Sequence, residues 1–295
     1  MPPMTARSPV PDLDGRLAAV RALMASTLEA TPLRKIVEDT GSLLGAGKML
    51  RSRMVFRLGD ATGVPEATLA HAAAAVEMIH GASLLHDDVI DGGYLRRNQA
   101  TFWVDRGVPG AILLGDLMLF RALEVLGRVE DGRLVRDLIL LTGDVCEAEA
   151  EQELVLRGQP PTWDNCVNIA RRKTGALFAF AGLAAAGSDE ALREALREAG
   201  FLAGTAYQLS DDLLDASGNL RVAGKTLGTD EKRRKTTAVT AARASPVHAD
   251  RAIVEMCEDA EARLDAWPVV REAWTDWARA ELHPALERNA GLPLF

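Results

Sequence analysis

Apolar residues recur along this chain at three- and four-residue spacing, in long stretches separated by short glycine- and proline-containing ones. Strict apolar/polar alternation is scarce, so the pattern predicts helices rather than strands. It places helices near residues 12–30, 33–44, 51–61, 66–91, 108–127, 131–157, 163–187, 189–216, 231–243, 247–266 and 269–289. The connections fall at 45–47, 63–65, 92–106, 158–161 and 218–230, where glycine and proline interrupt the periodicity. No linker is long and polar enough to separate two domains, and no repeat period emerges. The expected architecture is all-α, a single helical bundle over residues 12–295 with a cavity between facing helices. Residues 1–11, rich in proline, are expected to form a disordered N-terminal tail.

Composition supports this reading. Hydrophobic residues make up 48% of 295 residues, enough for a large core, while aromatics are only 5%. The net charge of -8 argues against a nucleic-acid partner. Three cysteines, Cys146, Cys166 and Cys257, are far apart and show no metal-binding spacing, which fits a reduced, cytoplasmic setting. The start of the chain has no apolar targeting segment. The longest apolar run, residues 176–186, is broken by Gly182 and too short to span a bilayer; it reads as a buried core helix.

The chemistry concentrates in residues 80–101, HGASLLHDDVIDGGYLRRNQAT. On a helix Asp87 and Asp91 share a face, Asp88 flanks them, and His80 lies two turns earlier on that face. Three carboxylates this close call for a cation. Mg2+ binds through one or two carboxylates together with substrate phosphates. Residues 208–215, QLSDDLLD, repeat the pattern with Asp211, Asp212 and Asp215, and Gln208 beside them. Both clusters end apolar runs, where the helix dipole disfavours acids. Two such clusters predict two carboxylate walls facing one cavity.

Cations are interleaved with these acids. Lys48 and Arg51, three apart beside glycines, could reach one anion or lie on an ordinary basic surface. Arg96 and Arg97 follow the first acidic motif, and guanidinium groups grip phosphate in bidentate fashion. Lys173 and Thr174 stand in an otherwise apolar segment. Lys225 and Lys235 flank a charged run after the second motif, a pattern that also fits a solvated face.

As a set, GKMLR, EMIHGASLLHDDVID with LRR, GDLML, KTGALF, YQLSDDLLD and GKTLGTDEKRRK resemble the trans-isoprenyl diphosphate synthases, the polyprenyl synthetase family and its geranylgeranyl-type members, over residues 45–237. The resemblance implies an all-α bundle around a deep central cavity, the type I isoprenoid synthase arrangement, usually as a homodimer. It implies a transferase that condenses isopentenyl diphosphate with an allylic prenyl diphosphate, using several Mg2+ ions. Asp87, Asp88, Asp91, Asp211, Asp212 and Asp215 would hold Mg2+ bridging the allylic diphosphate. Arg96, Lys173, Thr174, Gln208, Lys225 and Lys235 would contact that diphosphate. Lys48, Arg51, His80 and Arg97 would bind isopentenyl diphosphate.

Some positions depart from the family pattern. Met49 stands where arginine is common, Asn98-Gln99-Ala100-Thr101 replaces Gly-x-Pro-Thr, and Arg234 precedes Lys235 in place of glycine. Product length is expected to depend on the helix before Asp87. Ser83 lies one turn below Asp87 with Ala82 beside it, both small, and in the family aromatics at these places go with short products. The expected product is geranylgeranyl diphosphate or longer. Met78 and Ile79 lie a further turn down, and Met118 or Phe120 could form the floor. His86 could orient a carboxylate or cap the helix, and Glu149 and Gln152 could face the cavity or solvent. Trp267, Trp274 and Trp277 read as core or interface anchors. Three rivals are a class I terpene cyclase, a non-catalytic regulatory subunit, and a condensing enzyme with an unusual acceptor, the last suggested by Asn98 and Arg234. The second DDxxD motif and the Lys48, Arg51 and His80 matches argue against the first. Six intact carboxylates argue against the second.

Overall fold

A computed structural model describes residues 12–32, 34, 47–96, 98–217, 235–245 and 247–295. The expected helix at 33–44 apart from residue 34, the tail at 1–11, the connection at 218–230, residues 231–234 of the expected helix 231–243, and the site candidates Arg97 and Lys225 lie outside the described residues, as does Arg234. The described helices are α1 (Leu13–Glu29), α2 (Leu50–Thr62), α3 (Glu66–Asp91), α4 (Phe102–Leu126), α5 (Gly132–Glu151), α6 (Trp163–Ala170), α7 (Ala176–Ala185), α8 (Glu190–Ser217), α9 (Ala238–Arg243), α10 (Ala249–Ala262), α11 (Pro268–Trp277) and α12 (His283–Ala290). One small antiparallel hairpin, β1 (Leu95–Arg96) and β2 (Gln99–Ala100), sits between α3 and α4.

The bundle is organised around α7, in which every residue is buried. That outcome follows from the sequence ALFAFAGLAA, which has no polar side chain to present to water. Helix α8 lies along it, and the approach is too close for side chains at the crossing. A Cβ at Gly204 would lie 2.6 Å from the Cα of Gly175, and one at Gly182 would collide with the Leu196 carbonyl. Helix α3 packs lengthwise on α4, with the run Ala72–Ala75 fully buried. Helix α11 contributes Trp274 and Trp277, stacked edge-on at 5.2 Å, with Trp277 against Phe178 at 6.3 Å. The Trp277 indole donates to the Leu50 carbonyl at 3.3 Å, so the buried N–H is satisfied. These two tryptophans are core anchors, whereas Trp267 is half-buried and donates to Asp189 at 3.1 Å.

Three differences from the periodicity bear on the site. The stretch 92–106 is not an open connection: it holds the hairpin, and α4 starts at Phe102. Thr101 fixes that start, its backbone N–H donating to Tyr94 and its hydroxyl to Gly93 at 2.6 Å. Helical geometry then breaks at Gly107, φ 75°, just before Pro109, which has no N–H to give. Helix α5 continues as a π turn at Gln152–Leu156, and another π turn, Arg171–Gly175, joins α6 to α7. A third follows α11 at Ala278–Leu282. Such turns insert extra residues into the helical register and occur often at functional sites.

Candidate active site

The first acidic motif occupies the last turn of α3, which ends at Gly92 with φ 64°. The second occupies the last turns of α8. Both open onto one cavity of about 1310 Å³, lined by Asp87, Asp88 and Asp91 from one side and Asp211, Asp212 and Asp215 from the other. The expected pairing of two carboxylate walls is therefore what the fold brings together.

Each middle aspartate is buried and clamped. The guanidinium of Arg96 grips Asp88 in bidentate fashion, Nε at 3.0 Å from both carboxylate oxygens and Nη2 at 2.8 Å from Oδ1. The hairpin makes this possible: Asn98 takes a positive φ of 62°, a conformation asparagine tolerates, and the chain turns Arg96 back over α3. Burial pushes the Asp88 carboxyl above its ordinary range, and Arg96 only partly offsets it. Burial lowers the Arg96 guanidinium, but the Asp88 hydrogen bond and charge, with Asp87 and Asp211, carry it above its ordinary value. Arg96 thus feels both walls. Among the described residues Asp212 accepts from the Gln208 amide at 2.8 Å and the Ala238 backbone N–H at 2.8 Å. Thr174 orients Gln208 in turn, its hydroxyl donating at 2.5 Å.

The two remaining cations cross between the walls. Lys173, on the π turn before α7, lies against Glu149 and 3.8 Å from Asp87. Lys235 Nζ is 2.7 Å from Asp91, 3.0 Å from Glu153 and 3.6 Å from Glu149. Burial lifts the Asp87 carboxyl to about 6; Lys173 opposes that, while Glu149 and Asp91 reinforce it. Burial lowers both lysines, yet the surrounding carboxylates outweigh it and both end above their ordinary values. Periodicity left Glu149 and Gln152 of the acidic patch 149–153 open between cavity and solvent; both line the cavity, as does Glu153 of the same patch.

At the other side of the mouth, Lys48, Arg51 and His80 line the cavity together with Arg288 and Asn289 from α12. Arg51 is buried, with its guanidinium over the Phe178 ring at 4.6 Å. Its Nε makes no hydrogen bond among the described residues. Burial lowers its guanidinium against the opposing charges of Glu77 and Tyr207. Burial lowers Lys48 also, aided by Arg288. A buried arginine with a donor to spare beside two further cations is suited to an anion. Arg288 was missed because an arginine at the end of a surface helix looks like ordinary last-turn chemistry.

Below the carboxylates the cavity becomes apolar, lined by Ile79, Ser83 and Leu84 of α3, Leu119 of α4, Val145 and Cys146 of α5, and Leu177. The expectation for Ala82 and Met78 needs correction. Both are fully buried and neither lines the cavity. Residues 78 and 82 are four apart and share the face that points into helix packing, about 100° from Ser83. The proposed floor also differs: Met118 is buried against Gly81, Phe120 is 72% exposed, and Leu119 lines the cavity instead. His86 neither orients a motif carboxylate nor caps α3. Its Nε2 lies 3.2 Å from the Ile112 carbonyl and 3.4 Å from Asp116, tying α3 to α4.

Among the described residues no three acidic, histidine or cysteine side chains converge into a ready-made metal cage. The donors are hard carboxylate oxygens on two facing walls. That set fits a hard divalent ion completing its shell with phosphate oxygens and water, the habit of Mg2+. No described helix is long and apolar enough to cross a membrane.

Comparison with known proteins shows the family to which the chain belongs. A polyprenyl synthetase family model matches residues 33–267. A geranylgeranyl diphosphate synthase of Mycobacterium tuberculosis is 37% identical over 200 residues, 65% of this chain and 57% of that protein. An octaprenyl diphosphate synthase of Haemophilus influenzae is 34% identical over 196 residues, 65% of this chain and 60% of that protein. The chain therefore spans less than two thirds of the length of these curated relatives. The crystal structure of a polyprenyl synthase from Caulobacter crescentus, complexed with calcium and isoprenyl diphosphate, has a TM-score of 0.73 at 29% identity. It covers 94% of this chain and 93% of that one.

Proposed function

We propose that this chain, which belongs to the polyprenyl synthetase family, is a prenyltransferase joining isopentenyl diphosphate head-to-tail to an allylic diphosphate. The observation that carries this reading is the pair of aspartate triads across one cavity, with cations between them and an apolar extension below. In this assignment Asp87, Asp88, Asp91, Asp211, Asp212 and Asp215 hold Mg2+. When bound, the metal supplies charge stabilisation for the departing diphosphate.

The residues divide the work by position. The carbon–oxygen bond of the allylic substrate breaks with its electron pair leaving on the diphosphate. Lys173, Lys235 and Arg96 stabilise that growing negative charge at fixed places. Thr174 and Gln208 orient Asp212 and offer neutral contacts. Lys48, Arg51 and His80, with Arg288 beside them, hold the second diphosphate so that the isopentenyl double bond faces the allylic carbon. That double bond forms the new carbon–carbon bond, and a proton then leaves its neighbouring carbon, with the released diphosphate as acceptor. The apolar walls keep water from the allylic cation. Arg97 and Lys225 belong to this assignment through family resemblance alone.

The product is a trans-polyprenyl diphosphate of geranylgeranyl length or longer, because Ser83 leaves the tail path open. The relatives include farnesyl, geranylgeranyl and octaprenyl diphosphate synthases, so product length rests on Ser83 and not on the comparisons. A homodimer is supported by exposed apolar side chains on neighbouring helices, Ile112, Leu113 and Phe120 of α4 and Ile139 and Leu140 of α5. Light scattering on the eluting protein tests that; a monomer at micromolar concentration would rule it out. The three cysteines are free, consistent with a cytoplasmic location, which fractionation of cells tests.

The deciding experiment mixes purified protein with Mg2+, isopentenyl diphosphate and, in turn, dimethylallyl, geranyl and farnesyl diphosphates. Mass spectrometry should read a ladder of prenyl diphosphates ending at geranylgeranyl or beyond. Cyclic hydrocarbon from one prenyl diphosphate alone, or no turnover with any primer, would overturn the assignment.

A further inference from the structure

Two largely buried carboxylates beside Lys173 and Lys235 lie outside both aspartate motifs. Glu149 is in the last turn of α5, and Glu153 is on the π turn that follows. Glu149 lies against Lys173 and 3.6 Å from Lys235 Nζ. Glu153 lies 3.0 Å from Lys235 Nζ, while its other oxygen faces Arg157 at 3.6 Å. The neighbouring Gln152 amide donates to the Thr236 carbonyl at 3.5 Å, so this turn grips both the side chain and the backbone around Lys235. The side chains of Glu149, Glu153 and Lys235 are 14%, 9% and 2% exposed. These are not solvated surface pairs.

The same lysines also reach Asp87 at 3.8 Å and Asp91 at 2.7 Å. In the metal-bound reading, Asp87 and Asp91 turn to Mg2+. Two buried ammonium groups would then lose one set of partners and face a repelling cation. A buried charge without a counter-charge is strongly unfavourable. Glu149 and Glu153 stand where they can supply that counter-charge from the side away from the aspartates.

We propose that Glu149 and Glu153 are positioning residues that draw Lys173 and Lys235 off Asp87 and Asp91, leaving those aspartates to the metal and the ammonium groups aimed at the diphosphate. The inference rests on the diphosphate-binding reading above. It assigns a task to an acidic stretch, CEAEAEQEL, that neither aspartate motif includes. It also predicts the sign of an effect. With a neutral amide at both positions, the lysines have only Asp87 and Asp91 left, and metal must compete with them.

The test compares the full-length wild type with Glu149→Gln, Glu153→Gln, the double variant, and Glu153→Asp. Binding of Mn2+ in the presence of inorganic diphosphate is read by electron paramagnetic resonance, without turnover. The Mg2+ concentration giving half-maximal turnover and the KM of each substrate are read separately. The double variant should need about tenfold more metal in both assays, the size of a typical coupling between sites. Its KM for isopentenyl diphosphate should change little, and Glu153→Asp should restore most of the metal response. Unchanged or tighter metal binding overturns the proposal. So does a parallel rise in both KM values, which marks general damage. If the double variant does not fold, the single variants must show smaller shifts in the same direction, and their absence overturns it. An inactive wild type strikes the proposed function instead, while an active wild type with unshifted variants strikes this inference alone.

Discussion

Asp88 and Asp212 occupy the same place in two copies of one motif, yet they are held by different means. Asp88 is gripped by a guanidinium from a hairpin eight residues along the chain. Asp212 is gripped by an amide one turn earlier on its own helix and by a backbone N–H from Ala238, 26 residues on. Among the described residues, one wall is met by a charged group from a nearby segment; the other is met by an amide of its own helix and by a backbone N–H from a distant segment. Arg96 also feels Asp211, so the guanidinium clamp serves both walls.

The largest expected effect tests what the walls share. Removing divalent metal with EDTA should abolish turnover and restoring Mg2+ should recover it. Asp87→Asn and Asp211→Asn should each lower kcat by about 10² to 10³, the usual cost of losing one preorganised charge stabiliser. A much larger loss at one wall would mean that the two do not share the metal equally. Next comes the contrast between clamps. Both clamps donate to a carboxylate, where a hydrogen bond contributes about 1.5–3 kcal/mol, but Arg96 gives Asp88 three contacts and a counter-charge while Gln208 gives Asp212 one. Arg96→Ala should therefore destabilise the fold more than Gln208→Ala, measured by urea denaturation without metal. Equal losses would show that the guanidinium is spent on the substrate rather than on Asp88.

The sequence made the two walls legible because a four-residue spacing on a helix is a geometric statement. The buried α7 was equally legible, since an unbroken apolar run of that length has nowhere else to go. The hairpin was not, because it is two residues per strand and rests on Asn98 at positive φ, a conformation no periodicity signals. The start of α4 was misplaced for a related reason. Pro109 marks a helix beginning, but Thr101 starts the helix about two turns ahead of it and Gly107 absorbs the break. Glu149 stayed open between cavity and solvent and Glu153 was not placed, because an acidic run reads as a wet surface unless one knows that two lysines from other segments close over it. Arg288 arrives from the far end of the chain, and only the packed bundle shows it beside Lys48.

The finest contrast separates two neighbours on α3. Ser83 lines the cavity, and its hydroxyl is occupied by the His80 carbonyl at 2.9 Å, so the wall it presents is small and self-satisfied. Ala82 is fully buried on another face of the helix. Ser83→Phe places a ring across the tail path and should shorten the product by at least one isoprene unit, with the fold little affected. Ala82→Phe has no void to enter and should instead cost about 1–3 kcal/mol by overpacking, with product length unchanged among molecules that still fold. Mass spectrometry of products and thermal melting of both variants separate these outcomes. If Ala82→Phe shortens the product as well, the helix face reaches the tail indirectly, by pushing Ser83 and Leu84 inward. The difference between the two would then be one of distance, not of kind. If neither variant changes the product, the tail leaves the carboxylates by another wall, and Leu119 and Val145 lose their place as its lining.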